Sequence, residues 1–204
     1  MDIGCGEGVT SIWIKDNWPH VKVIGVEQRH EIASVAQKFL DDVVVADIEC
    51  FGRSLDLYVG KIDLLLLLDV LEHLRDPWDC LLKLKKLLSP NGVVIVSIPN
   101  VRNLKVISPL VLRGRWDYQS AGILDRTHLR FFTRSSIIDL FKKSGYSISI
   151  IYRTGPLTIS KIKSYYGFIA YLINLITFNV LGDFITYQFI IKAEPEENNE
   201  HVSL

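Results

Sequence analysis

Short apolar runs alternate with segments of helical period along most of this chain, and that alternation admits few architectures. Runs at residues 21–26, 43–46, 62–68, 93–98, 146–152 and 187–193 read as strands. Helical stretches fall between them: residues 9–18, then a face made of Ile32, Val35, Ala36, Phe39 and Leu40, and later one made of Ile137, Ile138, Leu140 and Phe141. Strands that take turns with helices build a mostly parallel sheet covered on both faces, an α/β doubly wound domain. The run at 62–68 is apolar enough for a central strand buried on both sides. Asp76 and Pro77 suit the cap and first position of a helix whose C-terminal end gathers Lys83, Lys85 and Lys86. Ser89, Pro90, Asn91 and Gly92 should close that helix with a turn, Pro99 should stop the next strand, and Gly145 should end the last helix.

A chain of 204 residues suits one domain, taken to run over 1–193 ahead of an acidic, disordered tail at 194–204. Lys plus Arg and Asp plus Glu number 23 each, which argues against nucleic acid as a partner. Three scattered cysteines without CxxC or Cys/His spacing suggest neither disulfides nor a metal site, and fit a reducing cytoplasm. An acidic residue and a glycine loop follow Met1 where a secretory leader would be basic, then apolar. Residues 164–182 are uncharged and rich in Ile, Leu, Phe and Tyr. Asn174, Thr177 and Asn179 would be costly in hydrocarbon, so this stretch is expected to be a buried helix, a homodimer surface or a face resting peripherally on a membrane.

The chemistry starts at Gly4, Gly6 and Gly8, a turn between a strand and a helix where the missing Cβ atoms let backbone approach a ligand. The spacing GxGxG, unlike GxGxxG, favours a nucleoside ligand without a pyrophosphate. Glu27, at the end of the next strand, is placed to accept both hydroxyls of a ribose; its plainer role is a surface carboxylate. Asp47, after the third strand, could take an adenine amino group, with Ile48 packing on the ring; its plainer role is a helix cap. Ligands of open α/β sheets sit at the carboxyl ends of the strands, where all three features fall.

The stretches DIGCGEG, GVEQ, VVVADIE, LLLLLDVLEHLRDP and LSPNGVVIVSIPN resemble, in order, the motifs of class I S-adenosylmethionine-dependent methyltransferases. The resemblance implies a Rossmann-like, seven-stranded, mostly parallel sheet with a reversed last strand, residues 187–193. It implies S-adenosylmethionine as cofactor. Asp2, Gly4, Cys5, Gly6 and Gly8 would face its methionine part, Glu27 and Gln28 the ribose, Asp47 and Ile48 the adenine, and Asp69 and Val70 the edge near the acceptor. Members of this group usually have more strand before the loop. Here the first strand would begin at Met1, so the chain reads as truncated or mis-started, with either a shortened strand or compensation by another subunit expected.

Residues 114–118 and 122–132 are similar to a branch associated with surface-polysaccharide enzymes, and more loosely to ubiquinone-biosynthesis O-methyltransferases. The first likeness implies a sugar or lipid-linked sugar as small-molecule acceptor, the second a phenol. A third reading is a non-catalytic chain that keeps the fold and associates through residues 164–182. Residues 100–132 look like an insert covering the acceptor, and its Arg115, Trp116, Tyr118, Arg126 and Arg130, near Arg113, suit stacking on a sugar and contact with phosphate. A hydroxyl acceptor must shed a proton, which makes His73 and His128 the candidate catalytic bases. The plainer role of His73 is to pack or cap at a helix end, and that of His128 is to pin the insert to Thr127 or Asp125.

Overall fold

The computed structural model describes residues 1–155 and 182–196. Seven strands form one sheet in the order β3-β2-β1-β4-β5-β7-β6. They are β1 (Asp2–Ile3), β2 (Ile24–Glu27), β3 (Asp42–Val45), β4 (Ile62–Leu68), β5 (Leu88–Pro99), β6 (Tyr146–Thr154) and β7 (Gln188–Pro195). Only β7 runs against its neighbours, pairing antiparallel with both β5 and β6. The α/β class, the parallel order and the reversed last strand are as the sequence implied.

The short first strand is held from both sides. Asp2 and Ile3 pair with Gly25 and Val26 on β2 and with Leu66 and Leu67 on β4. Pairing continues back through Met1, whose nitrogen donates to the Leu64 carbonyl (2.7 Å) and whose carbonyl accepts from Leu66 N–H (2.9 Å). Two residues of regular strand therefore suffice to close the gap between β2 and β4, because their backbone groups are satisfied on each flank. Leu65 and Leu67 on β4, Val94, Val96 and Ile98 on β5, and Phe189 and Ile191 on β7 lie in one core with helix α3 (Pro77–Leu84) and a later helix, Arg134–Lys143. A smaller apolar cluster of Cys5, Val23, Ala33, Ala36, Leu40 and Val43 lies under α2 (His30–Ala36).

Local chemistry explains most boundaries. Helix α1 (Val9–Asn17) starts from Gly8 in left-handed conformation, and its Ser11 hydroxyl donates to buried Asp2 (2.7 Å). Asp76 caps α3 by accepting from Asp79 N–H (3.0 Å), as its sequence position suggested. Thr133 and Ser136 make a reciprocal capping box for the helix over Arg134–Lys143.

Four expectations need correction. Residues 89–92 do not form a turn that ends α3; they bulge within β5, whose pairing with β4 passes from Ile62↔Leu88 to Leu64↔Val93. Phe39 does not face the core, because α2 ends at Ala36 and the chain turns before Phe39 could continue the helical face; Ala33 is buried instead. The insert carries a helix that the sequence reading did not include: α4 (Leu104–Arg113) runs from an Asn103 cap to Gly114 in left-handed conformation. Its internal Pro109 and exposed Val111 and Leu112 blur the helical pattern. Glu194 and Pro195 belong to β7 rather than to a tail, since Ser147 and Tyr146 at the start of β6 give them partners. The helix that follows α4, Arg134–Lys143, is α5. Residues 156–181, which hold nearly all of the uncharged stretch, and residues 197–204 of the tail lie outside the described residues.

Burial raises the Asp2 carboxyl above the ordinary aspartate range, with the Ser11 hydrogen bond opposing that rise. An acid raised on folding weakens the native state above its unfolded pKa, and that penalty fades as pH falls. Asp2→Asn keeps the shape, so its melting temperature should exceed wild type at pH 7.5, with the difference narrowing at pH 4.5. A thermal melt at the two values checks it.

Candidate active site

Loops at the carboxyl ends of four neighbouring strands enclose a cleft of about 660 Å³. Gly4 enters it after β1, Glu27 to Arg29 at the end of β2, Ala46 to Glu49 after β3, and Asp69 to Arg75 after β4, while Thr127 and Leu129 of the insert form its far wall. Such a position is where an open α/β sheet leaves strand ends uncovered and backbone N–H groups free to meet a ligand.

The glycine loop has the geometry its residue types require. Gly4, Gly6 and Gly8 have φ of 69°, 55° and 89°, and a Cβ built on Gly6 would meet nothing within 4 Å. Glycine is selected there by the left-handed backbone; Gly4 lines the cleft, while Gly6 and Gly8 are not on its lining and Gly6 joins it through its N–H to Glu27. The Glu27 carboxylate is almost fully buried and fixed by two backbone donors, Gly6 N–H (3.2 Å) and Arg29 N–H (3.0 Å). A carboxylate offers about four lone-pair directions, so two remain for a diol. The loop and the acid were read separately from the sequence; the Gly6 bond joins them into one unit.

Asp69 follows β4 with φ of 54°, the one non-glycine residue at positive φ among the described residues. Its N–H donates to the Ser97 hydroxyl (2.9 Å), the same hydroxyl donates back to Asp69 Oδ1 (3.1 Å), and Gln188 Nε2 also donates to Oδ1. A strained backbone held by three such contacts at a strand end is a mark of functional sites. Sequence periodicity gave no sign of Ser97 or Gln188, which reach Asp69 from β5 and β7. Ser97→Ala should lower stability by about 1 kcal/mol and loosen Asp69, since the strained N–H keeps only the Ser97 carbonyl. Urea denaturation measures the loss.

The structure places the other sequence candidates unequally. Gln28, Asp47, Ile48, Val70 and His73 line the cleft with Gly4, Glu27 and Asp69. Asp47 also makes a local turn, accepting from Glu49 N–H (2.9 Å). Asp2 and Cys5 lie beneath the loop and are not on the cleft lining: Asp2 is engaged by Ser11, and the Cys5 sulfur packs toward Gly25. Burial pushes the Cys5 thiol up to about 12, so it packs as a small neutral group.

The basic and aromatic side chains of the insert are not gathered on the cleft lining. Arg115 pairs with Asp117 (2.8 Å), Trp116 packs edge-on against Phe131, and Tyr118 and Arg126 are exposed. Arg130 donates to the Arg75 carbonyl and lies over Trp78, so it anchors the insert to the loop after β4. The reason for Arg115 and Arg130 is local: one guanidinium meets an acceptor two residues away in the chain and the other meets one in that loop. Arg29, Glu49, Arg75, Thr127 and Leu129, which the sequence reading did not single out, do line it. Glu49 accepts from Arg75 N–H (2.7 Å) and Asp76 N–H (3.1 Å), tying two of its walls together.

His73 and His128 meet with ring centroids 4.7 Å apart, although 54 residues separate His73 from its partner Thr127. His73 Nδ1 lies 3.3 Å from the Thr127 carbonyl, and buried His128 Nδ1 lies 3.1 Å from the Ile123 carbonyl. The His128 ring is held by Ile123, while its backbone N–H donates to the Asp125 carbonyl (3.1 Å), one of the two ties the sequence suggested. Burial lowers its pKa and favours the neutral ring.

A family model described as a methyltransferase domain matches residues 1–149. The chain belongs to that family. Its fold is that of the class I S-adenosylmethionine-dependent methyltransferases. The chain is 28% identical over 127 residues to a trans-aconitate 2-methyltransferase of Azoarcus sp., covering 60% of this chain and 47% of that one. It is 26% identical over 147 residues to a ubiquinone biosynthesis O-methyltransferase of Cereibacter sphaeroides, covering 71% and 58%. The chain therefore spans about half the length of these relatives. In fold it is similar to a magnesium protoporphyrin IX methyltransferase from Synechocystis solved with S-adenosylhomocysteine, with a TM-score of 0.60, 17% identity, and coverage of 96% and 73%. No helix among the described residues is long and apolar enough to cross a membrane.

Proposed function

We propose that this methyltransferase-family chain binds S-adenosylmethionine in the cleft and transfers its methyl group to a hydroxyl of a small acceptor, a sugar or lipid-linked sugar. The observation that carries the cofactor half is the Glu27 carboxylate, oriented by the N–H of Gly6 and opening on the same cleft as Gly4 and Asp47. These residues fit a nucleoside with an amino-acid tail: an anchored acceptor for a diol, a side-chain-free bend beside it, and a carboxylate with an apolar neighbour, Ile48, for the base. Bound S-adenosylmethionine would supply an electrophilic methyl group on a sulfonium centre.

The chain's own part is then mainly alignment, which can account for a large share of the barrier in a displacement reaction. Glu27 and the glycine loop fix the cofactor, Asp69 and Val70 shape the edge toward the acceptor, and Thr127 and Leu129 cover it. His73, on the wall beside them, and His128 behind it favour loss of the acceptor's proton, a need greatest for a weakly acidic sugar hydroxyl. A phenol acceptor is the second reading, supported by the alignment with a ubiquinone biosynthesis O-methyltransferase over 71% of this chain. It also accords with insert arginines that are not on the cleft lining.

Radiolabelled methyl transfer to a panel of nucleotide-linked sugars, lipid-linked sugars and catechols separates the two. Methylation of the sugars supports the first reading, and methylation of catechols alone overturns it in favour of the second. Failure to bind S-adenosylhomocysteine in calorimetry would overturn both.

A further inference from the structure

Glu72 is a buried carboxyl that the alignment role just described does not use. Its backbone carbonyl accepts from Leu129 N–H (2.8 Å) and Arg130 N–H (2.9 Å), which holds the insert in place. Its side chain is 1% exposed, and neither carboxylate oxygen has a hydrogen-bond partner among the described residues. A buried acid without a donor is costly, so its retention calls for a positive partner or a proton.

The two histidines stand beside it. One carboxylate oxygen of Glu72 and one ring nitrogen each of His73 and His128 lie within 4.8 Å of one another. The second set of contacts fixes what those rings can offer. The Ile123 carbonyl can only accept, so His128 carries its proton on Nδ1 and keeps a lone pair on Nε2. The Thr127 hydroxyl donates to Asp125 (2.7 Å), which leaves its oxygen, like the Thr127 carbonyl, an acceptor for Nδ1–H of His73. With Nδ1 of each ring engaged by a backbone carbonyl, Nε2 is left as the ligating nitrogen, oriented in the way metal-binding histidines are.

We propose that Glu72, His73 and His128 form a binding site for one divalent first-row transition ion, with open positions facing the cleft through His73. Two imidazoles and one carboxylate are a three-ligand set that such ions accept and that magnesium, which prefers oxygen ligands, disfavours. The ion would neutralise the otherwise unpartnered acid. The sequence pointed away from a metal because Glu72 and His73 are neighbours while His128 comes 55 residues later; the insert, docked on the Glu72 carbonyl, brings the third ligand in.

The ion's role in turnover rests on the methyl-transfer reading. It would hold the acceptor oxygen and lower its pKa, so that the O–H proton passes to water while an oxygen lone pair forms the C–O bond and the C–S bond breaks. Binding itself does not depend on that reading.

The test is a titration of the purified chain with cobalt(II) alone, followed by calorimetry and visible absorption, beside Glu72→Gln and His73→Ala. The expected result is one saturable equivalent with a visible ligand-field band, and an affinity about tenfold or more weaker in each variant. Circular dichroism confirms folding, and His73, half-buried where Glu72 is fully buried, is the safer substitution. Proton NMR of the wild type, needing no variant, should show paramagnetic shifts on both imidazoles. Absence of a saturable equivalent in wild type, or unchanged affinity in folded variants, would overturn the site. S-adenosylhomocysteine titrated into the same samples keeps the two proposals apart. Cofactor binding without cobalt binding removes the ion alone, and cobalt binding without cofactor binding leaves the ion site standing while removing the methyltransferase reading.

Discussion

Glu27→Ala is expected to weaken S-adenosylhomocysteine binding by about 100-fold or more, the equivalent of two charge-assisted hydrogen bonds. The reason extends beyond the ribose. Glu27 accepts from Gly6 N–H and Arg29 N–H, so truncation removes the diol acceptor and also frees the glycine loop on one side and the start of α2 on the other. Glu27→Gln keeps the shape but can turn a donor toward two N–H groups, and should fall between wild type and alanine. Calorimetry at matched ionic strength reads both variants. Equal affinity in all three proteins would mean that this carboxylate only braces the loop.

Gly25→Ala carries the largest expected effect on folding. Gly25 lies in β2, paired with Asp2 of β1 on one side and Val43 of β3 on the other, and a Cβ there would stand 2.6 Å from Cys5 Sγ and 2.9 Å from Leu40 Cδ1. Cys5 belongs to the glycine loop and is itself buried, so neither it nor the sheet can give way without cost. Overpacking of this kind lowers stability by about 1–3 kcal/mol. Shifting Cys5 also moves Gly6, so cofactor affinity should fall with it. Adding Cys5→Ala removes the nearest atom and should recover part of both losses, a favourable coupling of about 0.5 kcal/mol or more in a double-mutant cycle. Urea denaturation and calorimetry on the four proteins check it. A Gly25→Ala protein as stable as wild type would show that the loop and β2 are less tightly packed than described.

Much of the architecture could be read without coordinates because periodicity reports burial. The apolar run of β4, the Asp76-Pro77 start of α3 and the Thr133 start of α5 each depend on neighbours in sequence. Features set by distant partners were hidden. The bulge at 89–92 exists because β5 must stay in register with β4 on either side of it, and nothing in Ser89 to Gly92 distinguishes a bulge from a turn. Helix α4 was obscured by Pro109 and by apolar residues that face outward.

The same division holds within the cleft. Gly4, Glu27 and Asp47 were legible because each lies at a strand end, where ligands bind in this kind of sheet, and Asp69 came from the family resemblance. The insert was harder, since a sequence shows that arginines and aromatics cluster but not which acceptors they meet first. Arg130 found the Arg75 carbonyl and Arg115 found Asp117. Conversely, Glu72 anchors the insert through its backbone carbonyl, while its side chain, without a hydrogen-bond partner among the described residues, carries the more informative chemistry.

The most direct measurement is the crystal structure of this chain with S-adenosylhomocysteine. The account predicts density for the nucleoside along the cleft, with the ribose diol within hydrogen-bond distance of both Glu27 carboxylate oxygens, the adenine over Ile48 near Asp47, and the amino-acid tail against Gly4 and Gly6. Density for the ligand elsewhere, or a ribose turned away from Glu27, would contradict it.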